Sequence, residues 1–412
     1  MYKTENYGRT WKKITKGISD GNLNYVRNIR EDPVRPGLLY LGTENALYFS
    51  MDDGENWQSL MTNLPHTPMY WIDVQKHFND LVVGTYGRGA WILDDITPLQ
   101  QLTKKITSSD AWLFDPRPAY RFRPVSRSLQ FHPELSAGHN PPYGASINYW
   151  LSKKNDSIRI YIKDSTGNVV RTLKTKGKSG INRVWWNLRG KPTNKIVMRT
   201  EPQYADWYSM GKSRTRKSNV APFSILEPPG TYTIEMSMGN KSFSQKLVVL
   251  KDPHSAGTLS DIQKQISLLK QLYTDMNQLA GKINKIERIR RQLYDMKAIL
   301  KTQKDKKKII QSVDSVNTVF MVLEGKMIRL KVTGTGQDDV RFPAMLASRM
   351  SHLASDVAVS DFPPTDQDQE VYILLHGRLV KYSGELQTLL QGRFSTFLKV
   401  LSAHNIGPVI TD

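Results

Sequence analysis

Hydrolysis of a glycosidic bond needs two carboxyl groups a few ångströms apart. Residues 1–99 offer four aspartates for such a pair: Asp73, Asp80, Asp94 and Asp95. Asp94 and Asp95 close the string Trp91-Ile-Leu-Asp-Asp95, where a carboxylate can serve a backbone turn instead of a substrate. Sialidase-type chemistry uses an arginine cluster on the substrate carboxylate and a tyrosine nucleophile. Arg88, within Tyr86-Gly-Arg-Gly89, is the one arginine of this segment in a glycine-rich strand-end loop, and one arginine is no cluster. The eight histidines show no His-x-x-x-His spacing, so a catalytic metal site is unsupported. There is no Gly-x-Ser-x-Gly elbow and no phosphate loop. The absence of cysteine excludes disulfides, thiolate metal sites and cysteine nucleophiles. No catalytic residue, metal or cofactor is therefore predicted. A second candidate lies in residues 195–226, where Tyr204, Trp207, Tyr208, Arg214 and Arg216 mix aromatic and basic character. Long loops of this kind carry glycan or anion contacts; the plainer alternative is a loop packed against the first hundred residues.

The elements that must position these residues are bounded by composition. A chain of 412 residues suggests two to four domains. Hydrophobic content of 39% with 23% charged residues is globular rather than disordered. No run of 18 apolar residues offers a transmembrane helix, and the polar Met1-Tyr-Lys-Thr-Glu-Asn lacks a signal-peptide core. The net charge of +20 is uneven: −2 over residues 1–99, +16 over 100–250 and +6 over 251–412. A basic middle attracts polyanions, yet its charges fall in scattered pairs such as Lys104-Lys105, Lys153-Lys154 and Arg216-Lys217 and form no nucleic-acid module.

An internal repeat organises the first hundred residues. Thr4-Glu-Asn-Tyr-Gly-Arg-Thr-Trp11 and Ser50-Met-Asp-Asp-Gly-Glu-Asn-Trp57 share the pattern Ser/Thr-x-Asp/Asn-x-Gly-x-Thr/Asn-Trp, 46 residues apart. Leu38-Leu-Tyr-Leu-Gly-Thr43 likewise matches Asp80-Leu-Val-Val-Gly-Thr85. A period of this size with about four short strands matches one β-propeller blade. Within each box the residues have mechanical roles. Asp52 (or Asn6) accepts from turn amides, Gly54 (or Gly8) supplies a positive φ, and Trp57 (or Trp11) lays a large ring under the turn. Thr4 and Ser50 open the motif. These eight are expected to be structural.

The boxes, and especially Asn79-Asp-Leu-Val-Val-Gly-Thr-Tyr-Gly-Arg-Gly-Ala-Trp-Ile-Leu-Asp-Asp95, resemble the last blades of bacterial BNR-repeat, sortilin-like propeller proteins. Ala111-Trp-Leu-Phe-Asp-Pro-Arg-Pro-Ala-Tyr-Arg121 and Gly180-Ile-Asn-Arg-Val-Trp-Trp-Asn-Leu-Arg189 resemble that group's post-propeller segments. Such proteins are large, secreted or periplasmic, and often classed with glycosyl hydrolases. Sialidases, sortilin and xyloglucan hydrolases share the box alone. Since closure needs at least four blades, the resemblance implies the C-terminal portion of a longer protein, with missing N-terminal blades supplied in cis or in trans.

The rest reads as three further regions. Residues 98–142, with Asp115-Pro-Arg-Pro118 and His139-Asn-Pro-Pro142, read as a linker. Residues 143–250 read as an immunoglobulin-like β-sandwich with the insert 195–226. Its hairpins turn at Asp164-Ser-Thr-Gly167 and Gly239-Asn240. From Ser260 the apolar period becomes helical, through Ile262, Ile266, Leu269 and onward to Leu300. Residues 251–412 read as an antiparallel four-helix bundle, with helices at about 260–300, 309–331, 343–359 and 365–404 and a polar turn at Lys304-Asp-Lys-Lys-Lys308.

The expected fold class is thus multidomain β plus α: incomplete propeller blades over 1–97, then linker, sandwich and bundle. The expected function is non-catalytic ligand binding or scaffolding in a secreted or periplasmic protein. A carbohydrate, peptide or envelope component would be the partner, with no specific nucleic acid and no membrane span. Arg88, Tyr204, Trp207, Arg214 and Arg216 are the speculative ligand contacts. Two alternatives remain: a glycoside hydrolase whose site lies mostly in upstream blades, and a polyanion binder using the basic middle.

Overall fold

A computed structural model describes residues 1–123, 138–205, 208, 210, 214–303, 306–333, 337–407 and 409–410. The chain is mixed β and α, with several antiparallel sheets followed by a helical region. It divides into two compact units: Met1–Leu188 with Pro229–Leu250, and Arg189–Pro228 with Lys251–Asp412.

The first unit begins with a short hairpin, β1 (Tyr2–Lys3) and β2 (Lys12–Lys13). A four-stranded meander follows: β3 (Val26–Glu31), β4 (Leu39–Thr43), β5 (Leu47–Ser50) and β6 (Gln58–Ser59). The next sheet has three strands, β7 (Met69–Gln75), β8 (Asp80–Thr85) and β9 (Ala90–Leu93). Every residue of β4 is buried, because its two faces serve different clusters. Leu38, Tyr40 and Leu47 pack with Met69, Ile72 and Leu81 on one side; Leu39, Leu41 and Tyr48 pack with Trp57 on the other. This accounts for the uninterrupted apolar string where a half-exposed strand would alternate. Gly42 is required by close approach: a Cβ there would lie 2.5 Å from the Met69 carbonyl oxygen.

After the short helices α1 (Thr97–Gln101) and α2 (Lys104–Thr107) come β10 (Ala111–Leu113), β11 (Ala119–Arg121), β12 (Ala145–Leu151), β13 (Asn155–Lys163), β14 (Val169–Gly177) and β15 (Gly180–Trp186). Two short strands of the second unit, β16 (Val197–Met198) and β17 (Arg216–Lys217), precede β18 (Gly230–Met238) and β19 (Lys241–Lys251). Strands β10, β12 and β15 make one sheet, and β11, β19, β18, β13 and β14 make another. Residues 98–142 thus contribute a strand to each. The β13–β14 turn is held by Asp164, whose Oδ1 accepts from the amides of Thr166 (3.0 Å) and Asn168 (2.9 Å). Trp186 of β15 meets Tyr232 of β18 edge to face, with ring centroids 5.1 Å apart.

The second unit is built on α3 (Leu259–Leu300), one continuous helix of 42 residues over the periodic run. Thr258 caps it reciprocally with Asp261. The remaining helices are α4 (Lys307–Met327), α5 (Asp338–Arg341), α6 (Leu346–Val357), α7 (Asp366–Leu389) and α8 (Ser395–Ala403). Helix α6 starts three residues beyond Pro343. Thr365 caps α7 with Asp368, and the apolar run on to His404 is interrupted by a π turn, Leu390–Phe394, joining α7 to α8. Such turns insert one residue into the helical ladder and rotate the face that follows. Ile262, Ile283, Ile286 and Leu293 of α3, Phe320 of α4, Met350 of α6 and Leu379 of α7 share one core. Met198 and Ile225 join it, so the described residues of 195–226 pack within the helical unit.

Candidate functional site

The two repeated turns have matching hydrogen bonds. In the second, Ser50 Oγ accepts from the Gly54 amide (2.9 Å) and donates to Asp52 Oδ1 (2.8 Å). Asp52 accepts from the Asn56 amide (2.8 Å) and side chain (2.7 Å). In the first, Thr4 Oγ1 accepts from the Gly8 amide (2.8 Å), and Asn6 Oδ1 accepts from the Thr10 amide (2.8 Å). Gly8 and Gly54 both have φ of +88°, preceded by Tyr7 and Asp53, also at positive φ. Burial pushes the Asp52 carboxyl upward, but its donors from Asn56 and Ser50 outweigh this and lower it. The tryptophans differ. Trp57 is 3% exposed and donates to the Ile14 carbonyl (3.1 Å), whereas Trp11 is 61% exposed and donates to Gly8 of its own turn.

The four candidate carboxylates do not form a free pair. Asp95 is buried and receives Ser146 Oγ, Asn148 Nδ2 (2.8 Å) and the Thr97 amide (3.3 Å). Its own amide donates to Asp80 Oδ1 (2.8 Å), which also holds Arg117 (2.9 Å). Arg183 donates to the carbonyls of Asp94 (2.7 Å) and Asp95 (2.6 Å) and to Asn148 Oδ1 (2.7 Å). Burial pushes Asp95 up, but Ser146, Thr97 and the charges of Arg183 and Arg117 bring it below the ordinary aspartate value. Asp94 is raised, by burial and then by Asp80. Asp73 is exposed on β7 and accepts from the adjacent Val74 amide (2.9 Å). Arg88 stands on an exposed loop between Gly87 and Gly89, both with φ of +73°, and its carbonyl accepts from Trp91 Nε1 (3.0 Å).

The insert residues find different surroundings. Arg214 pairs with Asp295 of α3, which Arg291 also holds (2.9 Å). Tyr204, at φ +65°, stacks on Phe342 at 6.5 Å, with Lys331 Nζ over both rings. Trp207 lies outside the described residues. Arg216 on β17 donates from Nε to the Thr200 carbonyl (3.2 Å), while its buried Nη2 has no hydrogen-bond partner. Desolvation lowers its guanidinium below the usual arginine value.

Beneath this strand is a buried charged cluster that the sequence reading did not contain. Glu287 of α3 accepts from the Thr200 amide (2.8 Å) and hydroxyl (2.7 Å) and from the Arg199 amide. Arg290, one helical turn on, binds Glu324 of α4 through Nη1 and Asn317 through Nε (3.2 Å). Glu287, Arg290 and Glu324 are almost wholly inaccessible. Burial, then the neighbouring Glu287 charge, raises Glu324 well above the ordinary glutamate range. Glu287 and Glu324 both face the Arg290 guanidinium, and the hydrogen bonds of Glu287 fasten residues 199–200 to α3. The i, i+3 spacing of Glu287 and Arg290 was the available signal.

Two cavities flank Arg329, just beyond α4. One, of about 220 Å³, is lined by Tyr208, Arg216, Lys217, Ser218, Asn219 and Arg329. The other, of about 290 Å³, is lined mainly by Met321, Val322, Leu330, Phe342, Pro343 and Met345. Arg329 Nη1 pairs with Asp339, but its buried Nε has no hydrogen-bond partner. The walls are joined by parallel pairing of Gln203 with Lys331: the Gln203 amide donates to Leu330 (3.0 Å), and the Val332 amide to Gln203 (3.1 Å).

Among the described residues no group of three or more histidines or carboxylates could hold a metal ion, and no helix is long and apolar enough to cross a membrane. A scan against protein-family models and a search of curated proteins gave no match.

Proposed function

We propose that this chain is a non-catalytic portion of a sortilin-like BNR propeller protein, acting in ligand binding or scaffolding outside the cytoplasm, with a glycan, peptide or envelope component as partner. In this reading the three sheets of residues 1–95 are propeller blades. Strands β10 to β15 with β18 and β19 are an immunoglobulin-like sandwich, and α3 to α8 form a helical bundle. The observation that carries the reading is the pair of matching turns, each placed between the last two strands of its sheet or hairpin, with Asp52 and Asn6 occupied by their own backbone. Those groups support folding and are withdrawn from chemistry. Exposed Tyr2, Tyr7 and Trp11 at the first hairpin, and Trp71, Ile92 and Leu93 on the third sheet, suit contact with further blades.

The reading predicts no hydrolysis of aryl glycosides by the purified chain. Hydrolysis abolished by Asp73→Asn or Asp95→Asn would replace it with the glycoside hydrolase reading. One observation favours that second reading: Asp94 is held above its ordinary value beside Asp80, as a general acid would be.

A further inference from the structure

We propose that the helical unit binds an amphipathic organic anion, a carboxylate with a hydrocarbon body, in the paired cavities on either side of Arg329. The proposal stands on the geometry of this unit and does not depend on the propeller reading.

The polar compartment carries an unmet need for an acceptor. Arg216 Nη2 and Arg329 Nε are both buried N–H groups without partners, and both residues line the same cavity of about 220 Å³. A buried donor left unsatisfied is costly, and native structures rarely retain two in one place without a ligand or ordered water to meet them. Guanidinium groups present N–H forks that match a carboxylate. Lys217 adds a third positive charge at the rim, and Tyr208, Ser218 and Asn219 complete a polar lining. Asp339 pairs with Arg329 on its Nη1 side, and Glu287 and Glu324 act on Arg216 through charge against the opposing charge of Arg290. These charges leave Arg216 Nη2 and Arg329 Nε without a hydrogen-bond acceptor among the described residues.

The second compartment defines the rest of the ligand. Its walls are mainly thioether, aliphatic and aromatic, with Gln203, Arg329 and Lys331 as the polar members, and exposed Val322 stands at its edge. Apolar walls with a few convergent polar groups are the usual composition of a small-molecule site. Gly325 on α4 borders this compartment, and a Cβ there would meet nothing closer than Leu330 Cδ1 at 4.0 Å. Arg329 lines both cavities, so a carboxylate held by Arg216 and Arg329 places its hydrocarbon chain toward the Met321–Met345 wall. An inorganic anion would fill only the polar side.

The test is isothermal titration calorimetry of the full chain with octanoate, octanol and inorganic phosphate. Octanoate is expected to bind with a dissociation constant on the order of 10–100 μM, a usual affinity for a ligand of this size. Octanol and phosphate are each expected to bind roughly tenfold more weakly or worse, since each lacks one half of the recognition. Arg216→Gln and Arg329→Gln should each weaken octanoate about tenfold. Gly325→Leu fills the apolar compartment from a helix position that favours leucine over glycine, so it should abolish octanoate binding in a folded protein, as checked by circular dichroism. Absence of octanoate binding to the wild-type chain would overturn the proposal. So would octanol or phosphate binding as tightly as octanoate, or an unchanged octanoate affinity in Gly325→Leu.

Discussion

Asp95 of the first unit is buried and Asp52 stands exposed, yet both are treated oppositely to the guanidiniums of the second unit. Asp52 and Asp95 have their oxygens filled by turn amides, hydroxyls and side-chain amides. Arg216 and Arg329 each keep a buried N–H with nothing to donate to. A charge whose partners all come from its own fold stabilises that fold and is not available for chemistry. A charge left short of a partner costs stability and is the better place to look for a ligand. The repeated turns of this protein thus hold their own backbone, and the proposed recognition site uses Arg216 and Arg329.

Several substitutions would break or sharpen this contrast, and the largest effect belongs to the filled carboxylates. Asp95→Ala should destabilise the first unit by about 3–5 kcal/mol, because Arg183, Ser146 and Asn148 lose a buried acceptor; denaturant unfolding followed by the fluorescence of its tryptophans reads this directly. Glu287→Ala should cost the second unit a similar amount and free residues 199–200, seen as faster amide exchange there.

The two units should also answer pH in opposite directions. Asp95 is lowered in the folded state, so the unfolded chain binds its proton first as pH falls. Its stabilisation is present above the unfolded aspartate value and is lost as pH drops through that range. Glu324 is raised, so the folded state holds a proton that the unfolded chain releases above the ordinary glutamate value. Its unit is stabilised at lower pH and loses that contribution as pH rises toward the folded value. Hydrogen exchange should show protection of β9 peptides falling as pH drops below about 4, and protection of α4 peptides falling as pH rises above about 4. Glu324→Gln, neutral at every pH, should flatten the α4 trend alone.

A smaller effect is expected at the repeated turns. Asp52→Ala should cost about 1–2 kcal/mol, as loss of a side-chain cap does, and Asn6→Ala less, because its turn is more exposed. The smallest is Arg216→Gln, within about 0.5 kcal/mol of the parent, since it deletes a desolvated charge that has one backbone contact.

Local features were legible in the sequence, and long-range ones were not. The turns at Ser50 and Thr4 could be read because every bond in them spans four residues or fewer. The apolar positions from Ile262 to Leu300 specify a helix face on their own, and α3 follows them. Thr365 similarly announced the start of α7. The buried cluster gave no comparable signal, because Glu287 and Arg290 are spaced like a solvent-facing pair, and their partners Thr200 and Glu324 are 87 and 34 residues away. Arg216 was noticeable from its aromatic and basic neighbourhood. Arg329 was not, since nothing local distinguishes it from other arginines near the helical segments. The exposure of Trp11 beside the burial of Trp57 was equally hidden, because both belong to the same motif and differ only in what packs over them.

The most direct measurement of the central contrast is the thermal shift produced by saturating octanoate in Asp52→Ala and Arg216→Gln, run side by side with the parent chain. Asp52→Ala is expected to melt earlier yet keep the full octanoate shift, while Arg216→Gln melts with the parent and shows a clearly smaller shift, as a roughly tenfold weaker site does. An Asp52→Ala protein that loses the shift, or an Arg216→Gln protein that keeps it undiminished, would contradict the assignment of scaffold and site.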